Sequence, residues 1–248
     1  MKKLLKGLRE FQTSYFSSHQ ELFEQLSHGQ KPRVLFIACS DSRVDPNLIT
    51  NAQVGELFVI RNAGNIIPPY EATNSGEGAS IEYAVHALDI QQIIVCGHSH
   101  CGAMKGLLKL SSLEEEMPLV YNWLKYAEGT RRLIKENYSD REGEELLEAT
   151  IAENVLTQIE NLRTYPVIHS KLHRGQISLH AWIYSIEKGE VLEYDPFKHQ
   201  YVPPFSEIAG YEPLSFNPQL HRTSKTWLSP EQADRIYRGS ARMNGAAS

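Results

Sequence analysis

Cysteine is scarce in this chain. Three in 248 residues are too few and too unevenly placed for a disulfide framework, which implies a reducing, intracellular setting. No stretch approaches the roughly 20 apolar residues of a membrane span. No long basic run is present, so neither nucleic acid nor an anionic membrane is indicated as a partner. The opening MKKLLKGLREFQTSYF interleaves charge with apolar residues and offers no small-residue cleavage site, so it does not read as a secretory signal. There is no internal repeat. What remains, at 41% hydrophobic, 22% charged and a net charge of −5, is a soluble globular protein of one or two domains with room for a substantial core. The acid excess gathers in residues 113–148, as a solvated helical face would.

Residues 2–28 read as helical: Leu4, Leu5, Leu8 and Phe11, then Leu22, Phe23 and Leu26, recur at helical spacing. Three short continuous apolar runs follow, VLFIA (34–38), LFVI (57–60) and IIVC (93–96), as expected of strands covered on both faces. Between the last two, Ile81, Ala84, Val85 and Leu88 form a helical stripe over 76–89, with glycines ahead of its start. Strand, helix, strand is the pattern of a parallel sheet with right-handed crossovers. Residues 102–110, 117–137 and 143–164 read as further helices. ISLHAWIYSI and EVLEYD, joined around Lys188 and Gly189, read as a hairpin. From about Pro203 the chain turns rich in proline and serine and loses its period. One short helix is expected there, with Ser229 as cap, Pro230 at its first position and Gln232 completing a capping box. The expected organisation is a helical arm (1–32), an α/β domain built on a mostly parallel β-sheet flanked by helices (33–202), and a C-terminal extension (203–248).

Two of these strands run straight into chemistry. VLFIA ends in Cys39, Ser40, Asp41, Ser42 and Arg43. IIVC ends in Gly97, His98, Ser99, His100, Cys101 and Gly102. His98 and Cys101 are three apart, so one turn can aim both at a point. In open α/β sheets ligands gather beyond the carboxyl ends of strands, which lets the fold bring Cys39 to them. Two thiolates and an imidazole suit zinc and leave one position open, the catalytic pattern. The charges sum to near neutral before a fourth ligand binds. Cys96, within its apolar run, reads instead as a small buried hydrophobe, and His100 as a loop residue. Alternation along an extended segment would put Cys39, Asp41 and Arg43 on one side. Arg43 can then hold the Asp41 carboxylate through a bidentate pair and keep it ionised.

CSDSR followed by HSHC resembles the paired zinc signature of the β-class carbonic anhydrases. The similarity continues through FVIRNAGNIIPPYE, GEGASIEYAVHAL and IIVCGHSHCGAMKGLL, over roughly residues 20–200. The resemblance implies one Zn2+ per chain on Cys39, His98 and Cys101, with Asp41 and Arg43 as a catalytic dyad. In the plant-like branch of the family a Gln precedes the first Cys, where Gln30 stands here. A Phe, a Val, a Tyr and a backbone N–H line the substrate pocket. Phe58, Tyr83 and Gly102 match, and Ala63 stands where Val is usual, which makes the pocket roomier there. The family's N-terminal helices embrace a second subunit, and its active site lies at that interface. A homodimer or a higher oligomer of dimers is therefore implied. The C-terminal extension resembles the carboxysomal branch found in cyanobacteria. That implies a carboxysome scaffold protein as the tail's partner, a place in the cytoplasm inside the carboxysome, and delivery of CO2 to Rubisco.

The implied reaction is reversible hydration of CO2 to bicarbonate and a proton. With neutral ligands zinc lowers the pKa of water from about 15.7 to about 7; two thiolates donate more charge, so a higher value and alkaline-favoured activity are expected. Asp41 would accept the hydrogen bond of the attacking hydroxide. Gln30 and the Gly102 N–H would hold the oxygen that gains charge. Two other functions fit the same motifs: hydrolysis of COS or CS2 on this scaffold, or assembly on a scaffold around a structural zinc, which would need a fourth protein ligand.

Overall fold

The three apolar runs form the centre of a six-stranded sheet: β1 (Val34–Cys39), β2 (Leu57–Asn62) and β3 (Gln92–His98). The structure, a computed structural model, describes residues 1–72 and 75–204. The expected hairpin is β4 (Ser178–Ser185) and β5 (Glu190–Asp195), turning at Gly189 with φ +66°, and a short β6 (Gln200–Val202) follows at the edge. The spatial order is β2-β1-β3-β4-β5-β6. The pairs β1–β2, β1–β3 and β3–β4 are parallel; β4–β5 and β5–β6 are antiparallel. The sheet is therefore mostly parallel, as expected. β1 buries five of its six residues, which is why its pattern is a run rather than an alternation. Each strand outlasts its apolar core, so Cys39 is the last residue of β1 and His98 the last of β3. From β1 the chain moves to β2 on one side and then to β3 on the other. The crevice between β1 and β3 is thus the point where strand order reverses, the usual ligand position in such sheets.

The segment expected as helical over 2–28 forms two α-helices, α1 (Lys2–Glu10) and α2 (Gln20–Ser27), separated by a π turn at Phe11–Phe16 and a break at His19. Neither buries a residue, and Leu4 and Leu8 are 66% and 60% exposed. The α1 leucines stay largely exposed, whereas Leu26 of α2 packs beside Gly55, where an added Cβ would come within 2.6 Å of it. α3 (Pro46–Thr50) is unanticipated: Asp45 accepts the N–H groups of Asn47 and Leu48, and Pro46 takes the first position. α4 (Gly76–Glu82) is capped by Ser75 and passes into a π turn at Tyr83–Ala87. Gly76 and Gly78, expected ahead of this helix, lie in its first turn.

Beyond β3 come α5 (Gly102–Leu108), α6 (Leu113–Glu116), α7 (Pro118–Leu124) and α8 (Glu128–Asn137). A 3-10 turn at Lys125–Ala127 divides what reads in sequence as one helix over 117–137. α9 (Gly143–Arg163) then crosses β3 and β4, with α5 and α8 against its other flank, and α10 (Pro166–His173) leads back to the sheet. Sandwiched in this way, α9 buries more than half its length, including Thr150, Glu153, Asn154 and Gln158. It lies close on β3: a Cβ at Gly97 would come within 2.7 Å of Val155 Cγ2. Glycine is required there by approach, not by φ. The short helix expected around Ser229, Pro230 and Gln232 lies outside the described residues.

Candidate metal centre

Cys39, His98 and Cys101 converge. Their ligand atoms lie within 4.8 Å of one another, and all three residues are buried. Cys39 and His98 arrive on the ends of adjacent strands. Cys101 follows a tight turn in which His100 takes φ +55°, and it sits at the N-terminal boundary of α5. His98 Nδ1 lies 2.9 Å from the Ser99 carbonyl, which accepts its proton. Nε2 is then the bare nitrogen, and it is buried with no hydrogen-bond partner. A basic nitrogen left empty between two sulfurs costs free energy unless something electrophilic faces it.

The two thiols take opposite directions. Cys39 is held well below the usual thiol range, chiefly by the Cys101 thiol donating to it, with further help from the Gly64 N–H and against the opposing effect of burial. Cys101 is pushed far above the usual thiol range, by that same shared proton and then by burial. Metal-free, the pair holds one negative charge and one proton. A dication is what lets both ionise together. The donor set of two sulfurs and one imidazole, with the orphaned nitrogen, fits zinc with one position to spare.

Asp41 and Arg43 do pair, but not by the alternation expected of an extended chain. The backbone turns back after Cys39, with Val44 N–H donating to the Asp41 carbonyl at 3.0 Å. Within that turn Arg43 donates Nε to Oδ1 at 2.9 Å and Nη2 to Oδ2 at 2.7 Å, and its own N–H reaches Oδ1 at 3.0 Å. This fork holds the Asp41 carboxyl well below the usual carboxylate range. Oδ2 stands 4.0 Å from His98 Nε2, beside the cluster and outside it. A residue that sequence reading passes over, Arg61, secures the turn: Nε donates to the Cys39 carbonyl at 3.1 Å and Nη2 to the Asp41 carbonyl at 2.6 Å. Its only sequence signal is a charge interrupting LFVIRN.

The expected pocket residues separate into two sets. Ala63 follows Asn62, which is in register with Cys39, and Gly102 opens α5 next to Cys101. Both belong to the cluster's end of the sheet. Phe58 is in register with Leu35, four residues and about 13 Å back along the strand. Tyr83 packs on it, ring centroids 6.2 Å apart. Gln30 lies in a cavity of about 590 Å³ with Leu26, Arg33, Val54 and Glu56, beside the starts of β1 and β2. One chain therefore does not bring Gln30, Phe58 and Tyr83 to its own cluster.

His100, expected as a plain loop residue, places its ring between two carboxylates, with Nδ1 3.1 Å from Glu144 and Nε2 against Glu187. Burial alone would raise Glu187, but the hydrogen bonds it accepts from its own N–H, Ser99, Ser185 and His100 take it down to about 2. Cys96 is fully enclosed, and burial pushes its thiol up to about 12. It is the small hydrophobe that its strand position predicts.

With this geometry in hand, comparison with known proteins is direct. Residues 34–191 match the family described as carbonic anhydrase. The chain is 58% identical to a carbonic anhydrase of Synechocystis sp. strain PCC 6803 and 52% identical to one of Synechococcus elongatus strain PCC 7942. Each alignment covers 97% of this chain and all of the relative. The solved structure of the β-carbonic anhydrase CcaA superposes with a TM-score of 0.82 at 69% identity, over 82% of this chain and 99% of that one. A tetrameric β-carbonic anhydrase of Sordaria macrospora matches with a TM-score of 0.68 at 28% identity, over 77% of this chain and 95% of the other.

Proposed function

The chain belongs to the β-class carbonic anhydrases, and from that premise we propose that Cys39, His98 and Cys101 hold its Zn2+ with the fourth position left to water. The observation that carries this reading is the His98 Nε2, buried and unpartnered between two sulfurs while Asp41 stands beside it tied to Arg43. Bound there, zinc supplies the Lewis acidity that makes water a nucleophile near neutral pH. The protein's own part is positional. Arg43 keeps Asp41 ionised and turned outward, so that the carboxylate accepts a hydrogen bond from the nucleophile instead of closing the site. The Gly102 N–H faces the oxygen of CO2 that gains charge, and Ala63 forms part of the apolar wall. Water adds to carbon, one proton leaves, and bicarbonate departs. Two thiolates temper the metal's acidity, so turnover rises toward alkaline pH.

Gln30, Phe58 and Tyr83 complete the pocket in this reading from a second copy of the chain. The arm's exposed leucines support it, as does the tetrameric state named for the Sordaria enzyme. We also propose that the residues after 204 dock the enzyme onto a carboxysome scaffold protein, where it supplies CO2 to Rubisco. The support is that cyanobacterial relatives match 97% of this chain, whereas a Pseudomonas aeruginosa carbonic anhydrase matches 82%. The difference is about the size of the segment after residue 204.

Metal analysis with stopped-flow CO2 hydration tests the centre. About one zinc per chain and activity above the buffer rate at alkaline pH are expected. Metal-free protein, or sulfide release from COS or CS2 without CO2 hydration, overturns it. Deleting residues 206–248 should spare catalysis and abolish scaffold capture in a pull-down; unchanged capture rejects the docking role.

A further inference from the structure

The loop that follows β2 is held to an unusual degree by side chains. Its successive carbonyls at 63, 64, 66, 67 and 68 accept from Trp123 Nε1 (2.8 Å), Asn154 Nδ2 (3.0 Å), Asn62 Nδ2 (2.8 Å), Asn161 Nδ2 (2.8 Å) and Tyr165 OH (2.9 Å). The Ile66 and Ile67 N–H groups donate to Asn62 Oδ1 and Gln158 Oε1 at 2.9 and 2.8 Å. Such a segment satisfies its backbone polar groups without joining the sheet. One N–H in it is spent otherwise. Gly64 N–H donates to the Cys39 sulfur at 3.4 Å, from a residue that sits at φ +82°. The opposite side of that residue, its carbonyl, is gripped by Asn154, whose Oδ1 is itself fixed by Gln158 Nε2 at 2.9 Å. Asn154 is buried on α9, and Gln158 follows one turn later.

We propose that Asn154 is a positioning residue for the metal centre: by holding Gly64 it keeps an N–H on the Cys39 sulfur. A hydrogen bond to a ligating sulfur withdraws charge from it. Such outer partners set both how tightly a metal is held and how acidic it makes its water. Of the amides along α9, Asn154 is the one bonded to Gly64. Gln158 and Asn161 hold the loop farther on, at Ile67. Asn161 also donates to Gln158 Oε1 at 3.2 Å, so it reaches Asn154 only through Gln158 and bonds neither Gly64 nor the sulfur; a direct effect on the sulfur is thereby distinguished from loosening of the loop.

The inference rests on the zinc reading above, and the test keeps the two apart. Asn154→Asp retains the acceptor for Gln158 and loses the donor to Gly64. Asn161→Ala removes an amide from the same loop at Ile67 and serves as the control. The readouts are the rate of zinc loss to a chelator and the sulfur-to-metal charge-transfer band of the Co2+-substituted protein. For Asn154→Asp we expect zinc loss about 10–100-fold faster and a displaced band. Asn161→Ala should keep the wild-type band and lose zinc within about threefold of the wild-type rate. If Asn154→Asp does not fold, Asn154→Ser, uncharged and too short to reach Gly64, reports the same two quantities. An unchanged band in the Asn154 variant, or an equal change in Asn161→Ala, overturns the assignment. A wild-type protein that takes up neither zinc nor Co2+ overturns the zinc reading instead.

Discussion

Replacing Gly64 with Ala tests the centre at its tightest point. Gly64 occupies φ +82°, where a Cβ costs about 1–2 kcal/mol. The added carbon would stand 2.9 Å from Ala103 Cβ and 2.9 Å from Met104 Cε. The methionine tip can swing away. Ala103 cannot, because it is fixed in the first turn of α5 directly after Cys101. Overpacking of this kind costs about 1–3 kcal/mol. Together these give about 2–5 kcal/mol, a large part of the roughly 5–15 kcal/mol that holds a typical domain. Relief can come only by moving the loop from α5, which draws Gly64 N–H from Cys39 or Cys101 from the cluster. Urea unfolding of the zinc-loaded protein should show the midpoint lowered by roughly 1–2 M, with zinc stoichiometry and CO2 hydration falling together. Gly102→Ala is the contrast: no atom lies within 4 Å of a Cβ there and φ is not positive, so stability should stay within about 0.5 kcal/mol. A Gly64→Ala protein with wild-type midpoint and full zinc would refute the close approach.

Three further outcomes follow from the site and its surroundings. Asp41→Asn should cut turnover at least about 100-fold while zinc stays near one per chain; activity within a few-fold of wild type removes Asp41 from the reaction. Chelated protein should alkylate at Cys39, whose thiol is held well below the usual range by the Cys101 proton, before Cys96, whose thiol burial pushes up to about 12; peptide mapping decides, and earlier labelling of Cys96 contradicts this order. Glu128 lies well under its ordinary value of 4.5, at about 2, because Arg131 donates to it and Arg132 assists, against burial. A carboxylate depressed in the folded state stabilises above its ordinary value, and that contribution is lost as pH falls through the folded one. The difference in Tm between wild type and Glu128→Gln should hold above about pH 5 and close toward about pH 2; a gap that widens in acid refutes the pairing.

The sequence is most legible where one interaction dominates. Buried parallel strands must be apolar throughout, so VLFIA, LFVI and IIVC stand out. Two cysteines and a histidine at strand-to-loop junctions are unusual in so cysteine-poor a chain, so Cys39, His98 and Cys101 stand out as well. Legibility fails where structure depends on a distant backbone group. Nothing local in Asn154, Gln158 and Asn161 says that their amides face the loop after β2, because amides at helical spacing read equally as an exposed face. Arg61 looks like an interruption of a strand until the carbonyls it meets are known. The turn that joins Asp41 to Arg43 was hidden for a similar reason. A bidentate pair two residues apart fits both an extended chain and a reversal, and only the Val44 hydrogen bond separates them.

The division of the pocket has a physical rationale within the proposed dimer. A parallel strand delivers its chemistry at its carboxyl end, and β1 carries Cys39 there. The residues around the strand starts, Gln30 and the Phe58–Tyr83 pair, are separated from that end by the length of the strand. No rearrangement of side chains spans about 13 Å, so a chain with this topology cannot close its own pocket with them. A second copy related by a two-fold axis can lay its strand starts over the first copy's strand ends, and the contact is then reciprocal. The exposed leucines of α1 would gain their burial in the same association. Dimerisation and completion of the site would then be one event, and dissociation would leave a metal centre intact in composition but open to water on the side where CO2 must be held.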